Sequence, residues 1–333
     1  MQSDVDDSYR DLYFLDSRGT EGSGVSTALT MGSDGRIYGY TKEEGKNSNG
    51  TIFAFEPKED SSSELEVLYD YTDRFLSRSD VPYPLVEQAG SLYQVYLARA
   101  ETGTDRRIQV LELDLDTGQV NFPTQSIVGA STEVSGFTML DDELYLVFDN
   151  EIRSYDPASP AGFSLRTTIA LTPEPSTGLT GPYRYNPKWT PVAAGSKLCV
   201  VMERSHPELA QPEYVMVAYD TIEDRVTTTS LGSAAPTEQV QTDGDSVFVL
   251  VGRALQRYDV EQPGVSSVYT FGDARADIGM FAASDGNLYG TTRLVDPQRD
   301  DIYRYAPGPD RLQQLHRTTN SIQLGRGGLV EAR

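Results

Sequence analysis

Apolar residues in this chain come in short runs of four to seven, punctuated by Gly, Asp, Asn, Ser and Pro. The runs favour β-branched and aromatic residues, and no window carries the spacing of an amphipathic helix, so the pattern predicts strands throughout. One segment recurs seven times: Ile37-Tyr-Gly-Tyr, Leu92-Tyr-Gln-Val-Tyr-Leu, Leu144-Tyr-Leu-Val-Phe, Leu198-Cys-Val-Val, Val247-Phe-Val-Leu-Val, Leu288-Tyr-Gly-Thr and Leu329-Val-Glu. In the best units it follows an Asp-Gly turn, Asp34-Gly35 or Asp285-Gly286. Asp-Gly supplies the positive φ angles that a tight hairpin needs. A further strand then ends in a turn residue at Asp16, Glu56, Asp114, Asp156, Asp220, Asp259 and Ala306, at intervals of 40, 58, 42, 64, 39 and 47 residues.

From Ala306 through the C-terminus and on to Asp16 is a further 43 residues, which fits the same series. A regular unit of this size, built of strands buried on both faces, predicts an all-β, seven-bladed β-propeller spanning residues 1–333 as one domain, with six blades as the alternative. The seventh blade is expected to be shared. Ser321–Leu324 and Leu329–Ala332 supply its first strands and Leu12–Leu15 its third, which leaves no open sheet edge between the termini. Thr20–Gly24 reads as a poor strand, and residues 1–10 read as a polar arm.

The units Ser284–Thr292 and Gly50–Phe53 resemble the repeats of secreted bacterial tandem-repeat propellers, which read like SDGNLYGTT followed by GT-[IV]-F. The likeness covers about a fifth of the chain. The central units depart from it, with Gly90-Ser91, Asp141-Asp142 and Gly195-Ser196 at the turn. The resemblance implies a propeller and no particular activity.

Charge narrows the partners. Fifty acidic against 28 basic residues give a net charge of −22, which disfavours nucleic acid. Only five of the 28 basic residues are Lys, and an acidic, Lys-poor surface suits a halophilic setting where salt screens self-repulsion. No run reaches the roughly 18 apolar residues of a membrane span, and no signal peptide is visible at the N-terminus. Insertion into a membrane is therefore not expected, while an exported, particle-borne or cytoplasmic location stays open. The single cysteine, Cys199, lies in an apolar run and reads as a small core residue rather than a reactive thiol.

Variable loops on a rigid scaffold are where binding concentrates. The long connections Lys42–Gly50, Arg99–Arg107, Glu203–Glu213 and Arg293–Asp301, with the crossings Thr72–Pro84 and Thr172–Thr190, are expected to share one face. The richest segment, Gly181-Pro-Tyr-Arg-Tyr-Asn-Pro-Lys-Trp-Thr190, places Tyr183, Arg184, Tyr185, Lys188 and the only Trp, Trp189, within ten residues. Arg204 and His206 belong to the same unit. Aromatic rings beside cationic donors suit a glycan, a carboxylate or a protein hot spot, although the same rings could equally fill the gap between blades. No zinc set, phosphate loop or nucleophile elbow is present. Asp114-Leu-Asp116, Asp141-Asp142 and Asp296–Asp301 could take calcium, yet Asp at turns more often bonds its own backbone. Asn49-Gly-Thr51 is formally a glycosylation sequon and reads better as a turn.

These features point to a non-catalytic binding or assembly module on the outside of a cell or on a particle such as a virion. It would meet a protein or glycan partner on the long-loop face and could form a homo-oligomer, without a cofactor. The alternative is an enzyme, a propeller polysaccharide lyase or glycan-processing enzyme. Tyr183 or Tyr185 and His206 would then exchange protons, and Arg184 and Lys188 would neutralise a uronate.

Overall fold

The computed structural model of the chain describes residues 21, 23–25, 29–58, 64–72, 83–99, 106–128, 133–156, 162–170, 179–187, 189–242, 244–251, 253–271, 274–283, 285–294, 299–307 and 311–317. Its elements are all strands, arranged as six antiparallel sheets that follow one another along the chain. The first takes β1 (Ser23–Val25), β2 (Thr30–Met31), β3 (Ile37–Glu43), β4 (Thr51–Glu56) and β5 (Glu64–Asp70), with β1 and β2 both pairing β3. The second runs β6 (Val86–Gln88), β7 (Ser91–Arg99), β8 (Arg106–Asp114), β9 (Val120–Val128). The third is β10 (Thr138–Leu140), β11 (Glu143–Phe148), β12 (Glu151–Tyr155), β13 (Phe163–Thr168). In the fourth, β14 (Arg184–Pro187) and β15 (Val192–Ala194) both pair β16 (Lys197–Ser205), followed by β17 (Glu213–Asp220) and β18 (Arg225–Gly232). The fifth is β19 (Pro236–Thr242), β20 (Ser246–Val251), β21 (Ala254–Asp259), β22 (Gly264–Thr270). The sixth is β23 (Ala274–Ala282), β24 (Leu288–Leu294), β25 (Arg299–Ala306), β26 (Arg311–Arg317).

These are six blades of a β-propeller, the alternative count and not the seven first expected. Among the described residues, the first and last blades each take their strands from contiguous sequence. The shared seventh blade falls on Leu12–Leu15, Ser321–Leu324 and Leu329–Ala332, and with the arm at 1–10 it lies outside the described residues. One segment read as a poor strand is a strand in part: Ser23 pairs with Glu43 and Val25 with Thr41. Cross-strand partners there override weak local propensity. Six of the seven predicted second strands are β3, β7, β11, β16, β20 and β24, and six of the seven predicted turn residues end or follow third strands.

The chain divides into two compact units. One joins Met1–Thr72 with Phe271–Arg333 and carries the first and sixth blades; the other, Asp73–Thr270, carries the second to fifth. Within the larger unit the core lies between successive blades. Leu198, Val200 and Met202 of β16 face Val147 and Ile152 of the third blade, while Cys199 and Val201 face Val247 and Val249 of the fifth. Alternate side chains of a strand point to opposite faces, so a blade covered on both faces needs apolar residues at every position. Every residue of β20 is buried accordingly.

The repeat motif has a physical reading. Asp34 accepts the Arg36 backbone N–H (3.0 Å) and the Tyr38 hydroxyl (2.7 Å). Asp285 does the same with Asn287 (2.9 Å) and Tyr289 (2.7 Å). The following glycines, Gly35 and Gly286, take φ of 83° and 75°. The glycine after each tyrosine then makes room for an aromatic ring on the third strand. Gly39 lies opposite Phe53, and Gly290 opposite Tyr303. A Cβ on Gly39 would come within 2.5 Å of the Phe53 ring, and one on Gly290 would enter the Tyr303 ring.

The recurrent aspartate at the end of the third strand is likewise structural. Asp114 accepts the N–H (2.7 Å) and hydroxyl (2.8 Å) of Thr117. Asp220 accepts from Ile222 and Glu223, both at 3.0 Å, and Asp259 from Glu261 and Gln262, both at 2.9 Å. The Thr117 N–H holds the Asp114 carboxyl below its ordinary range, and the Gln262 N–H does so for Asp259.

Gly290→Ala is expected to destabilise the chain by about 1–3 kcal/mol in denaturant unfolding, the usual cost of overpacking; an unchanged midpoint would refute the ring-over-glycine reading. Because the Asp114 and Asp259 carboxyls are depressed in the folded state, their stabilisation is present above about pH 4 and disappears as pH falls through the folded values. Melting temperature followed from pH 5 to pH 2 should therefore fall less steeply in the Asp114→Asn, Asp259→Asn double variant than in the parent.

Candidate functional site

The segment singled out from the sequence forms the start of the fourth blade. Strand β14 pairs with the far half of β16, Arg184 with Ser205, Tyr185 with Arg204, Asn186 with Glu203 and Pro187 with Met202. The chain then leaves the ladder and returns as β15 against the near half, from Val192 with Cys199 to Ala194 with Lys197. Pro187 and Pro191 flank the break, and neither has an N–H to give a ladder.

Strand periodicity decides where the side chains go. Tyr183 and Tyr185 share one face and are each only 5% exposed, packed among Leu140, Val147, Ile152, Val200, Met202 and Val215 between the third and fourth blades. Arg184 points the other way and is exposed. Trp189 is half-buried against the cluster between the fourth and fifth blades. Lys188 lies outside the described residues.

Tyr183, Tyr185, Arg204 and His206 are brought together. The Tyr183 ring meets Tyr185 edge-on (centroids 6.2 Å apart) and the His206 imidazole edge-on (5.6 Å), and the Arg204 guanidinium lies 4.6 Å from its centroid. Arg204 also forms an ion pair with Glu213, its Nε donating to Oε2 at 3.2 Å, and Glu213 accepts from the Ser230 hydroxyl as well. Burial opposes the Arg204 charge, but the hydrogen bonds to Glu213 and Tyr185 outweigh it and hold the guanidinium above its ordinary value. Burial pushes the Tyr185 phenol up against the opposing pull of Arg204.

His206 is 5% exposed, and its Nδ1 accepts the Glu208 backbone N–H at 3.1 Å. That bond assigns the proton of a neutral ring to Nε2. Nε2 is buried without a hydrogen-bond partner and faces Gly181, where a Cβ would sit 3.8 Å away. The Glu208 carboxylate accepts both the N–H (3.4 Å) and the hydroxyl of Thr180, fastening the 206–212 connection to the crossing segment. The Thr180 hydroxyl holds that carboxyl below its ordinary range.

Thr180, Glu208 and Glu213 were not reached by sequence reasoning. The signal for Glu213 was available, since opposite charges on either side of a hairpin loop pair directly across it, Arg204 with Glu213.

The other candidates are placed as follows. Cys199 is buried, and burial pushes its thiol up to about 12. Asp141 and Asp142 form a two-residue turn with φ of 51° and 61°. Asp296 to Pro297 and Gln298 lie outside the described residues. Among the described residues, no three His, Cys, Asp or Glu side chains converge as a metal set. Asn49 is buried, and its amide donates to the carbonyls of Tyr71 and Thr72, both at 3.2 Å, so it serves the loop as a structural clamp. No described helix is long and apolar enough to cross a membrane.

No protein-family model matches the chain, and no curated protein matches it. Among solved structures it is similar to a protein from Lactobacillus plantarum, with 14% identity over 88% of this chain and 84% of that one, at a TM-score of 0.53. It is also similar to the extracellular domain assigned to a hybrid two-component system of B. thetaiotaomicron, with 13% identity over 95% of this chain and 35% of that one, TM-score 0.56. A third is an acylaminoacyl peptidase of Pyrococcus horikoshii, with 10% identity over 86% and 44%, TM-score 0.53. At these identities the likeness establishes the fold alone, and the three proteins differ in kind.

Arg204→Ala would leave Glu213 partly buried without its cation and remove the guanidinium from the Tyr183 face. It is expected to cost about 1–3 kcal/mol in equilibrium unfolding. Arg204→Ala combined with Glu213→Ala should recover part of that loss, and strict additivity of the two single changes would refute the coupling.

Proposed function

We propose that the protein is a non-catalytic binding or assembly module, displayed outside the cell or on a particle such as a virion. It takes a protein or glycan partner on the face carrying the long second-to-third connections and the blade crossings. One observation carries this reading: where aromatic, cationic and imidazole groups meet, their chemistry is consumed within the protein. Arg204 is neutralised by Glu213, Nδ1 of His206 is occupied by a backbone N–H, and Tyr183 and Tyr185 are buried.

A lyase needs a cation free to neutralise a uronate and a base with a free lone pair, and a phenol acting as base is helped by a lowered pKa. The Tyr185 phenol is shifted the opposite way. The reading includes no metal or cofactor; the turn carboxylates Asp114, Asp220 and Asp259 each accept backbone N–H groups. What the segment offers a partner is the outward side of β14, chiefly Arg184, with the half-buried Trp189 further along the segment, past the break in the ladder. A net charge of −22 with few Lys suits a partner met in high salt.

The test is a binding screen over neutral and uronate-containing glycans and candidate receptor ectodomains in molar salt, with each glycan also assayed for cleavage. Saturable binding without product is expected, weakened about tenfold or more, ~1.4 kcal/mol, by Arg184→Glu with folding unchanged. Cleavage of a glycan that is abolished by His206→Ala would overturn the proposal in favour of an enzyme.

A further inference from the structure

Outer strands of a propeller expose one row of unpaired backbone groups, and natural sheets blunt such edges with bulges, charges or proline. Every outer ladder here has one register shift, and in five of the six it lies four residues before the turn residue. The shifts fall after Ile52, Val110, Ile152, Leu255 and Ile302, whose turn residues are Glu56, Asp114, Asp156, Asp259 and Ala306. In the fourth blade it falls instead after Tyr214, six before Asp220, at the start of β17 and the end of β18. Strand β18 therefore keeps six consecutive pairs, from Val215 with Ser230 to Asp220 with Arg225. The next longest run, in β9, has five and is followed by Pro123 at its irregularity.

The other safeguards are missing too. From Val226 to Pro236 there is no charged residue, and no proline precedes Pro236. Among the described residues no strand pairs with the outer side of β18. Thr228 and Ser230 are exposed, and Ile222, in the turn that leads into the strand, is 80% exposed.

We propose that β18 is a self-association edge, where a second copy of this chain adds its own β18 antiparallel about a two-fold axis at Thr228. Electrostatics selects this occupant. In that register Thr228 faces Thr228, Thr227 faces Thr229 and Val226 faces Ser230. Beyond them Arg225 meets Leu231, and the ladder ends there, because residues 221–224 turn back into β17. No charge faces a charge. Two copies that each carry −22 can pair there without opposing carboxylates, and facing threonines are favourable cross-strand partners. The contact is small, and the long-range repulsion between two acidic copies is screened by salt, so pairing strengthens with ionic strength. This inference is independent of any ligand on the loop face, and a failed glycan screen leaves it standing.

Thr228→Cys tests it directly, because directly opposed Cβ atoms lie about 4.5–5.5 Å apart in such a pair, within reach of a disulfide after slight adjustment. The native Cys199 is buried and does not compete. Mild oxidation of the full chain in molar salt is expected to give a covalent dimer with Thr228→Cys and not with Ser266→Cys on the bulged β22. Sedimentation of the unmodified chain should show a dimer that grows with protein and salt concentration and is lost in Thr228→Lys. A monomer at every concentration and salt, or equal cross-linking through both cysteines, would overturn the proposal.

Discussion

Burial of a blade on both faces, as the fourth lies between the third and the fifth, is the constraint from which the rest follows. A strand in such a blade has no solvent side, so β16, β17 and β20 carry apolar residues at consecutive positions and lose the alternation of a half-exposed sheet. Fully burying each such side chain contributes roughly 1.5–3 kcal/mol, and dozens of them outweigh the entropy lost in ordering the strands. Polar chemistry is thereby driven to the rims and to the outer strands.

The same constraint shapes the cluster at Tyr183. Two tyrosines two residues apart must share a face, and here that face is the inter-blade core. Once Tyr183 and Tyr185 are buried, Arg204 beside them needs a counter-charge, which Glu213 supplies from the next strand. His206 is drawn under the loop in turn, fixed by the Glu208 N–H. The cluster packs at the base of the 206–212 connection, and it leaves the opposite side of β14, with Arg184, to face outward. Scaffold and display are divided between alternate residues of one short strand.

The outer edges carry the complementary problem. A bulge at a constant distance from the third-strand turn twists five of the six edges out of register, and each adds an unpaired residue that a partner strand cannot follow. The exception combines a straight ladder with an uncharged run in a chain where nearly a quarter of residues are charged. A surface of high like charge resists association generally, so a neutral, regular edge is where two copies can approach most closely.

The strand content, the repeat, six of the second strands and the turn aspartates were all legible in the sequence, because they rest on local chemistry. Asp-Gly demands a tight turn, Asp bonds the backbone two and three residues on, and consecutive apolar residues demand burial on both sides. The glycine after each repeat tyrosine was visible as a pattern, but its reason, the Phe53 or Tyr303 ring above it, required the strand register. The number of blades was not legible, because counting units does not reveal which strands pair, and Ser23–Val25 became a strand only through Glu43 and Thr41. Likewise the sequence grouped Tyr183, Arg184 and Tyr185 as neighbours, and only the packing of one blade on the next separated the two buried rings from the exposed guanidinium. Proximity along a chain is one-dimensional, whereas burial depends on what the fold lays against each face.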